Sequence, residues 1–230
     1  MLNINRNIIK SCEDEPSGIF PLISRGEFDT VEYLLDKGIV NINTVDMNGN
    51  DVLVRLLKVR EYNLVLKYIK KRNWDVNHQN VDGDTFGHIL ACDNSASSIK
   101  VVDALLSKKR FLPNIRNNKG ETLLDKAIHN NYLISSLKIL EDKRFTSIDL
   151  YDFKGLFDLS INNDYYGKYS KIINFNSIIK SLNKKELQPN MKKLVDRMYD
   201  NREAIRANIM DDSLDIVTSI INTTINEVII

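Results

Sequence analysis

The sequence repeats one short polar pattern four times, and this repetition limits the possible folds more than any other feature. The pattern is an Asn or Asp, two residues, a second Asn or Asp, two residues, and a Gly. It occurs as Asn43-x-x-Asp46-x-x-Gly49, Asn77-x-x-Asn80-x-x-Gly83, Asn114-x-x-Asn117-x-x-Gly120 and Asp149-x-x-Asp152-x-x-Gly155. The four glycines are 34, 37 and 35 residues apart. A pattern that recurs at this period predicts a chain of stacked repeats.

Composition excludes several classes of function without naming one. The net charge of +1 gives the chain no overall attraction to nucleic acid or to an anionic membrane. Its apolar runs are too short to cross a bilayer, and its first residues lack the apolar core of a signal peptide. Cys12 and Cys92 lie far apart, as expected in a reducing compartment. We therefore expect an intracellular protein of the cytoplasm, the nucleus or both, with no membrane attachment.

Each repeat is predicted to consist of a turn, a helix, a second turn and a second helix. The glycines of the pattern suit turns with positive φ, so we expect a structural role for Gly49, Gly83, Gly120 and Gly155. Two residues after the first three glycines stand side chains that cap helix N-termini: Asp51, Thr85 and Thr122. The apolar spacing that follows predicts a buried helical face. Second helices are expected at about 29–37, 63–71, 98–108 and 133–142.

This arrangement resembles the ankyrin-repeat family, whose unit is a β-turn and two helices with a Thr-Pro-Leu-His-x-Ala signature. The segment Gly83-Asp84-Thr85-Phe86-Gly87-His88 matches the family at Gly, Thr and His. Gly120-Glu121-Thr122-Leu123-Leu124-Asp125-Lys126-Ala127 matches it at Gly, Thr, Leu and Ala. The resemblance implies an all-α ankyrin-repeat solenoid of about five to six repeats. It also implies a structural role for His88, as a hydrogen-bonding residue within and between repeats.

The resemblance is clearest over about 20–155 and weaker on either side. We expect residues 1–185 to form ankyrin repeats, the last of them beginning at Gly155 with its second helix near 169–180. Beyond 185 the pattern disappears. Residues 186–230 are predicted to form atypical helices, as a terminal repeat or cap of the same solenoid, because terminal repeats face solvent on one side.

No motif in the sequence indicates catalysis. There is no Gly-rich phosphate loop, nucleophile elbow, zinc-binding His pair or CxxC. We therefore expect no enzyme activity, no catalytic residue, no metal and no cofactor. The function expected instead is a protein–protein interaction module, acting as a scaffold or adaptor, monomeric on its own and working within a complex.

The resemblance places partner binding on the turns, which project as fingers, and on the exposed side of the first helices. The residues predicted to bind a partner are Met47, Asn48, Asn50, Arg55, Lys58, Val81, Asp82, Asp84, Asn118, Lys119, Glu121, Phe153 and Lys154. Three of them are apolar where solvent alone would favour polar side chains. Met47, Val81 and Phe153 are therefore the first candidates for direct contact.

Basic residues near the ends of the second helices leave an alternative open. They are Lys70, Lys71, Arg72, Lys108, Lys109, Arg110, Lys143 and Arg144. Such cations complement the helix dipole, each contributing about 0.3–1 kcal/mol. Alternatively, stacked repeats would align them into a basic edge of a regulatory subunit that docks on nucleic acid or on a phosphorylated or acidic protein. Balanced charge and the lack of interleaved aromatic residues favour the helix-dipole account over docking, and nucleic acid is not an expected partner. Self-association through the C-terminal helices is a third hypothesis.

Overall fold

The computed structural model describes residues 6–93, 95–162 and 167–229. Within these ranges the regular elements are helices, and β-type pairing is limited to two isolated bridges, Val45–Asp51 and Gln79–Thr85. The prediction of an all-α chain is therefore confirmed. The chain forms two compact units, Met1–Glu121 and Thr122–Ile230.

The described part of the first unit has one leading helix followed by three consecutive helix pairs. Its helices are α1 (Arg6–Asp14), α2 (Ile19–Arg25), α3 (Phe28–Asp36), α4 (Val52–Lys58), α5 (Tyr62–Tyr68), α6 (Phe86–Leu90) and α7 (Ala96–Leu106). Each of α2, α4 and α6 packs against the helix that follows it. In addition, α4 lies against both α2 and α6, and α5 packs against α7. This is the predicted order of turn, helix, turn and helix, repeated along the unit.

Large aromatic side chains lie in the interior of the first unit. Trp74 and Phe111, which occupy equivalent places in successive repeats, are both buried. The Trp74 ring meets Phe86 edge to face, with ring centroids 5.2 Å apart. Its Nε1 donates to Asp51 Oδ2 at 2.8 Å, while Asp51 Oδ1 caps α4 by accepting from Val54 N at 2.8 Å. The buried Asp51 side chain therefore caps the N-terminus of α4 and also holds the Trp74 ring in place.

The second unit also begins with helix pairs. Its helices are α8 (Leu123–His129), α9 (Leu133–Glu141), α10 (Leu150–Ile161), α11 (Lys168–Leu182), α12 (Pro189–Asp200), α13 (Arg202–Met210) and α14 (Leu214–Ile229). Helix α8 packs against α9 and α10, and α11 packs against α9, α10, α12 and α13. Helix α14 packs against α12 and α13. Beyond 185, helices cover Pro189–Asp200, Arg202–Met210 and Leu214–Ile229.

The fourth copy of the pattern is not a turn, and the prediction that placed Gly155 in one was wrong. Asp149 is the N-cap of α10: its Oδ1 accepts from Asp152 N, and Asp152 Oδ2 accepts from Asp149 N, both at 3.0 Å. Gly155 lies inside that helix, where a Cβ would collide with Ile128 Cγ2 of α8. Its missing side chain therefore permits the close approach of two helices.

The same correction applies to the predicted fourth finger. Phe153 is 0% exposed, so it cannot contact a partner as a fingertip. Its ring packs on Phe157, with centroids 4.7 Å apart, because the apolar residues of this segment follow helical spacing and form a buried face. Lys154 is exposed, but it projects from α10 and not from a turn.

No helix in the described ranges combines the length and the apolar character needed to cross a membrane.

Candidate partner-binding surface

The first three copies of the pattern form one turn geometry, repeated three times. In the first copy, Asp46 Oδ1 accepts from Asn48 N and Asn50 N, both at 2.9 Å. Gly49 N donates to Asp46 O at 2.9 Å. The same bonds recur around Asn80 and Asn117. The glycines that close the turns have φ of 71°, 74° and 79°, at Gly49, Gly83 and Gly120. The second Asx and the Gly of the pattern therefore define the turn.

The first Asn of the pattern joins one repeat to the next. Asn43 Nδ2 donates to Asn73 O at 2.7 Å, and Asn43 Oδ1 accepts from Asp75 N at 2.8 Å. Asn77 makes the equivalent bonds, donating to Arg110 O at 2.8 Å and accepting from Leu112 N at 2.9 Å. An Asn side chain both donates and accepts, whereas an ionised Asp at the same position could only accept. The sequence interpretation missed this role, although the Asp at position 149 in the fourth copy was a visible sign that the copy differs.

Backbone bonds between neighbouring turns set them side by side. Val81 N donates to Asn48 O at 3.1 Å, and Asn118 N donates to Asp82 O at 3.0 Å. Asn118 Nδ2 also donates to Val81 O at 3.0 Å. The exposed residues of the three turns therefore form one row. We call this row the finger surface: Met47, Asn48, Val81, Asp82, Asn118 and Lys119.

Two apolar side chains stand out on the finger surface. Met47 is 94% exposed and Val81 is 61% exposed. They occupy the same position in adjacent turns, one residue after Asp46 and Asn80. Their exposure arises from turns held by several hydrogen bonds, and not from a loose loop. Contiguous exposed apolar surface marks interaction sites, which makes this pair the first candidate for contact on the finger surface.

Two residues predicted to bind a partner are instead part of the interior. Asn50 is 1% exposed, and its Oδ1 accepts from Asn80 Nδ2 at 3.0 Å and from Lys58 Nζ at 3.2 Å. Asp84 is 8% exposed and accepts from Asn117 Nδ2 at 2.7 Å. The prediction of partner contact was wrong at both positions, because their polar groups are used to link neighbouring turns.

The remaining predicted residues lie at the margin of the finger surface. Arg55 is half-buried, with NH1 at 3.6 Å from Asp46 Oδ2 and NH2 donating to Ser24 Oγ at 3.1 Å. Glu121 is half-buried, and its Oε2 accepts from Asn117 Nδ2 at 3.0 Å. Lys58 is exposed. Of these three side chains, the Lys58 ammonium is thus the most accessible charged group.

His88 links its own repeat to the next one, as the family resemblance implies. Its Nδ1 accepts from Thr85 N at 3.1 Å, and its Nε2 lies 2.9 Å from Glu121 O. Because a backbone N–H points at Nδ1 and a carbonyl faces Nε2, the neutral ring carries its proton on Nε2. The ring is buried and fully engaged, so this arrangement supports a structural role.

Thr122 caps α8 by a reciprocal arrangement with Asp125. Asp125 N donates to Thr122 Oγ1 at 3.3 Å, and Asp125 Oδ2 accepts from Thr122 N at 2.6 Å. We expect Thr122→Ala to lower the free energy of unfolding by about 0.5–2 kcal/mol, because the hydroxyl is lost as a cap. Urea denaturation followed by far-UV circular dichroism measures this change. Thr122→Ser keeps the hydroxyl, so its free energy of unfolding should fall clearly less. Equal decreases in the two variants would contradict a capping role.

The predicted basic edge divides into cations with structural contacts and cations left exposed. Lys108 Nζ donates to Lys71 O at 3.3 Å, and Arg110 donates to Arg72 O. These two side chains therefore cover carbonyls at the end of the preceding repeat. In the second unit, Arg144 NH2 lies 2.5 Å from Asp142 Oδ2. Arg110 stays exposed despite this contact, and the other exposed members are Lys70, Lys71, Arg72, Lys109 and Lys143.

The part of the chain that the structure describes holds no group of three or more His, Cys, Asp or Glu able to bind a metal ion. Comparison with models of protein families found no match to this chain, and comparison with curated proteins found none either.

Proposed function

We propose that this chain is an ankyrin-repeat protein without catalytic activity, which binds a protein partner through the finger surface and acts as a scaffold or adaptor. The observation that carries the proposal is the pair of exposed apolar side chains, Met47 and Val81, on adjacent turns of fixed geometry. The three identical turns and the consecutive helix pairs support the family assignment.

The fixed backbone makes this surface suitable for binding. Each turn is held by an Asx side chain and by bonds to its neighbour, so a partner would order little backbone on binding. A surface that is ordered beforehand loses less conformational entropy in the complex. Met47 adds an adaptable side chain, since an unbranched thioether fits irregular partner surfaces.

The position of Lys58 adds a charged group at the margin of the apolar pair. Its Nζ donates to Asn50 Oδ1, the same atom that accepts from Asn80 Nδ2 in the next turn. Lys58 is therefore held at the base of the first two fingers while it stays exposed. An apolar centre with a polar margin is the usual anatomy of a protein interface.

Affinity capture tests the proposal. Wild-type chain, a Met47→Ala/Val81→Ala variant and an Ile173→Ala/Ile216→Ala control would be used as baits in cell lysate, with bound proteins identified by mass spectrometry. The control removes two exposed apolar side chains from the second unit. We expect to identify a protein that binds the wild type and the control at moderate salt but does not bind the Met47→Ala/Val81→Ala variant, here called the finger variant. Its purified form should bind the finger variant at least about tenfold more weakly, a loss of 1.4 kcal/mol.

The three baits must be equally folded for the comparison to hold. Because Met47 and Val81 are solvent-exposed, we expect the free energy of unfolding of the finger variant to lie within about 0.5 kcal/mol of the wild-type value. If all three baits retain the same proteins with the same affinities, the finger surface is not the binding site and the proposal fails.

A further inference from the structure

A dense group of cations lies on the first unit, at the ends of α5 and α7. We call it the basic patch: Lys70, Lys71, Arg72, Lys108, Lys109 and Arg110. The two triplets belong to successive repeats, and the structure brings them together. Lys108 Nζ reaches Lys71 O, and Arg110 NH2 reaches Arg72 O and, at 3.5 Å, Trp74 O.

Four cations of the patch are exposed and lie outside the ion pairs of the described residues. Lys70, Lys71, Arg72 and Lys109 are exposed, and none of these four makes an ion pair with a described residue. Burial and then repulsion from Arg110 lower the pKa of Lys108. Contacts with carbonyls account for Lys108 and Arg110. Lys71 Nζ lies 5.8 Å from the centroid of the Tyr68 ring. Lys70, Arg72 and Lys109 are exposed near helix ends, where a cation contributes at most about 1 kcal/mol through the helix dipole.

A polar cleft of about 360 Å³ opens beside Lys71, between the ends of α3 and α5. Asp36 is the only carboxylate among its lining residues. The Asp36 carboxylate already accepts hydrogen bonds from Lys67 Nζ at 2.6 Å and from Tyr68 OH at 2.8 Å. The hydrogen bond from Lys67 lowers the pKa of Asp36, which keeps this carboxylate charged and paired. The cleft is also lined by Lys37 and Lys71, so it extends the patch with further donors.

The surroundings of the patch favour a polypeptide over a nucleic acid. Single-stranded nucleic acids bind by stacking bases on exposed aromatic rings. Here the rings of Tyr68, Trp74 and Phe111 are buried beneath the patch. In their place, Leu112 is 57% exposed directly after Phe111, and its N–H is fixed by Asn77 Oδ1. Exposed cations and one exposed aliphatic side chain, on a backbone held in place, suit a peptide that carries carboxylates and an apolar residue.

We propose that the basic patch is a docking surface for an acidic segment of a polypeptide, with carboxylates on Lys70, Lys71, Arg72 and Lys109 and an apolar side chain on Leu112. A single exposed ion pair contributes only about 0.2–1 kcal/mol, so several carboxylates must bind together. This binding is weakened by salt, because exposed charges are screened. The inference does not depend on the finger surface, which lies on the turns.

Fluorescence anisotropy with a labelled Glu-rich peptide containing one central Leu tests the proposal. The patch variant is Lys70→Gln/Lys71→Gln/Arg72→Gln, which leaves the backbone carbonyls that accept from Lys108 and Arg110 in place. The control is Lys180→Gln/Lys193→Gln/Arg206→Gln, three exposed cations of the second unit that give the same change in net charge. We expect the patch variant to bind the peptide about tenfold more weakly at low salt, and the control to bind like wild type.

Two further arms examine the kind of partner and the independence of the two surfaces. Leu112→Ser should weaken binding several-fold, and Met47→Ala/Val81→Ala should leave it unchanged. Equal loss in the patch variant and the control would show that only net charge matters, which overturns the proposal. An oligothymidylate that binds wild type as tightly as the peptide would overturn the assignment to a polypeptide. The absence of any peptide binding would overturn the docking surface itself.

Discussion

Replacing Gly83 with alanine should destabilise the first unit by about 2–5 kcal/mol, through two effects. The φ of 74° costs an L side chain about 1–2 kcal/mol. A Cβ at this position would also lie 2.5 Å from Asn118 Oδ1 and 2.7 Å from Asn118 N. Because Asn118 N donates to Asp82 O, the next turn cannot withdraw without losing the bond that joins the two turns.

Gly120→Ala is the matched control for this prediction. Gly120 has a φ of 79°, but no atom lies within 4 Å of its Cβ position. Gly120→Ala should therefore lower the free energy of unfolding only through the unfavourable positive φ, by about 1–2 kcal/mol. Urea denaturation followed by the fluorescence of Trp74, the single tryptophan and a buried residue of the same unit, measures both variants. Equal losses would show that contact between turns does not explain the need for glycine at position 83.

Replacing Asp152 with asparagine should stabilise the second unit near pH 8. Asp152 is buried in α10; its Oδ2 accepts from Asp149 N, while its Oδ1 has no hydrogen-bond donor. Burial, and then the hydrogen bond and charge of Asp125, raise the pKa of Asp152 to about 8. At neutral pH the Asp152 carboxyl therefore keeps its proton, which it donates to Asp125. An asparagine is neutral at every pH, so it never places a second buried charge beside Asp125.

The pH dependence follows from the raised pKa of Asp152. Between its ordinary value of 3.8 and about 8, the unfolded chain has released this proton and the folded chain retains it. The stability contributed by the shared proton is complete below that ordinary value and is lost as the pH rises towards the folded pKa. One such proton lowers the free energy of unfolding by up to about 1.4 kcal/mol per pH unit. Above the folded pKa this contribution changes no further.

Urea denaturation at several pH values, followed by circular dichroism, compares wild type with Asp152→Asn. We expect the advantage of the variant to grow steadily from pH 4 to pH 8, since only the wild type titrates at this position. Asp200→Asn, at an exposed position of the same unit, is the control and should follow the wild-type profile. Parallel profiles for Asp152→Asn and wild type would rule out a shared proton between Asp152 and Asp125.

The turns could be predicted from the sequence because their geometry is local. An Asx side chain that bonds two nearby N–H groups, followed by a Gly with positive φ, needs no distant residue. The same pattern led to a wrong turn prediction at Asp149 and Asp152, where these side chains cap a helix instead. The difference lies in the apolar residues after Asp149, whose helical spacing includes Phe153 and Phe157, and these outweigh the local preference for a turn.

The burial of Asn50 and Asp84 could not be predicted from the pattern. Both occupy positions that the family resemblance assigns to exposed fingers, and both meet partners about one repeat away in the chain. The carbonyl contacts of Lys108 and Arg110 have the same origin. Side chains that join two repeats depend on how those repeats stack, and a single repeat read alone does not contain that information.

The way the turns are held has a consequence for how this surface tolerates change. The side chains that fix each turn stand at the Asx and Gly positions, whereas the tips at 47, 48, 81, 82 and 119 use only their backbone atoms in the turn bonds. Position 118 is different, because the Asn118 side chain donates to Val81 O. A combinatorial library that randomises those five tips while retaining Asn118 should therefore keep its fold in most members. New specificities could be selected from such a library without redesigning the scaffold.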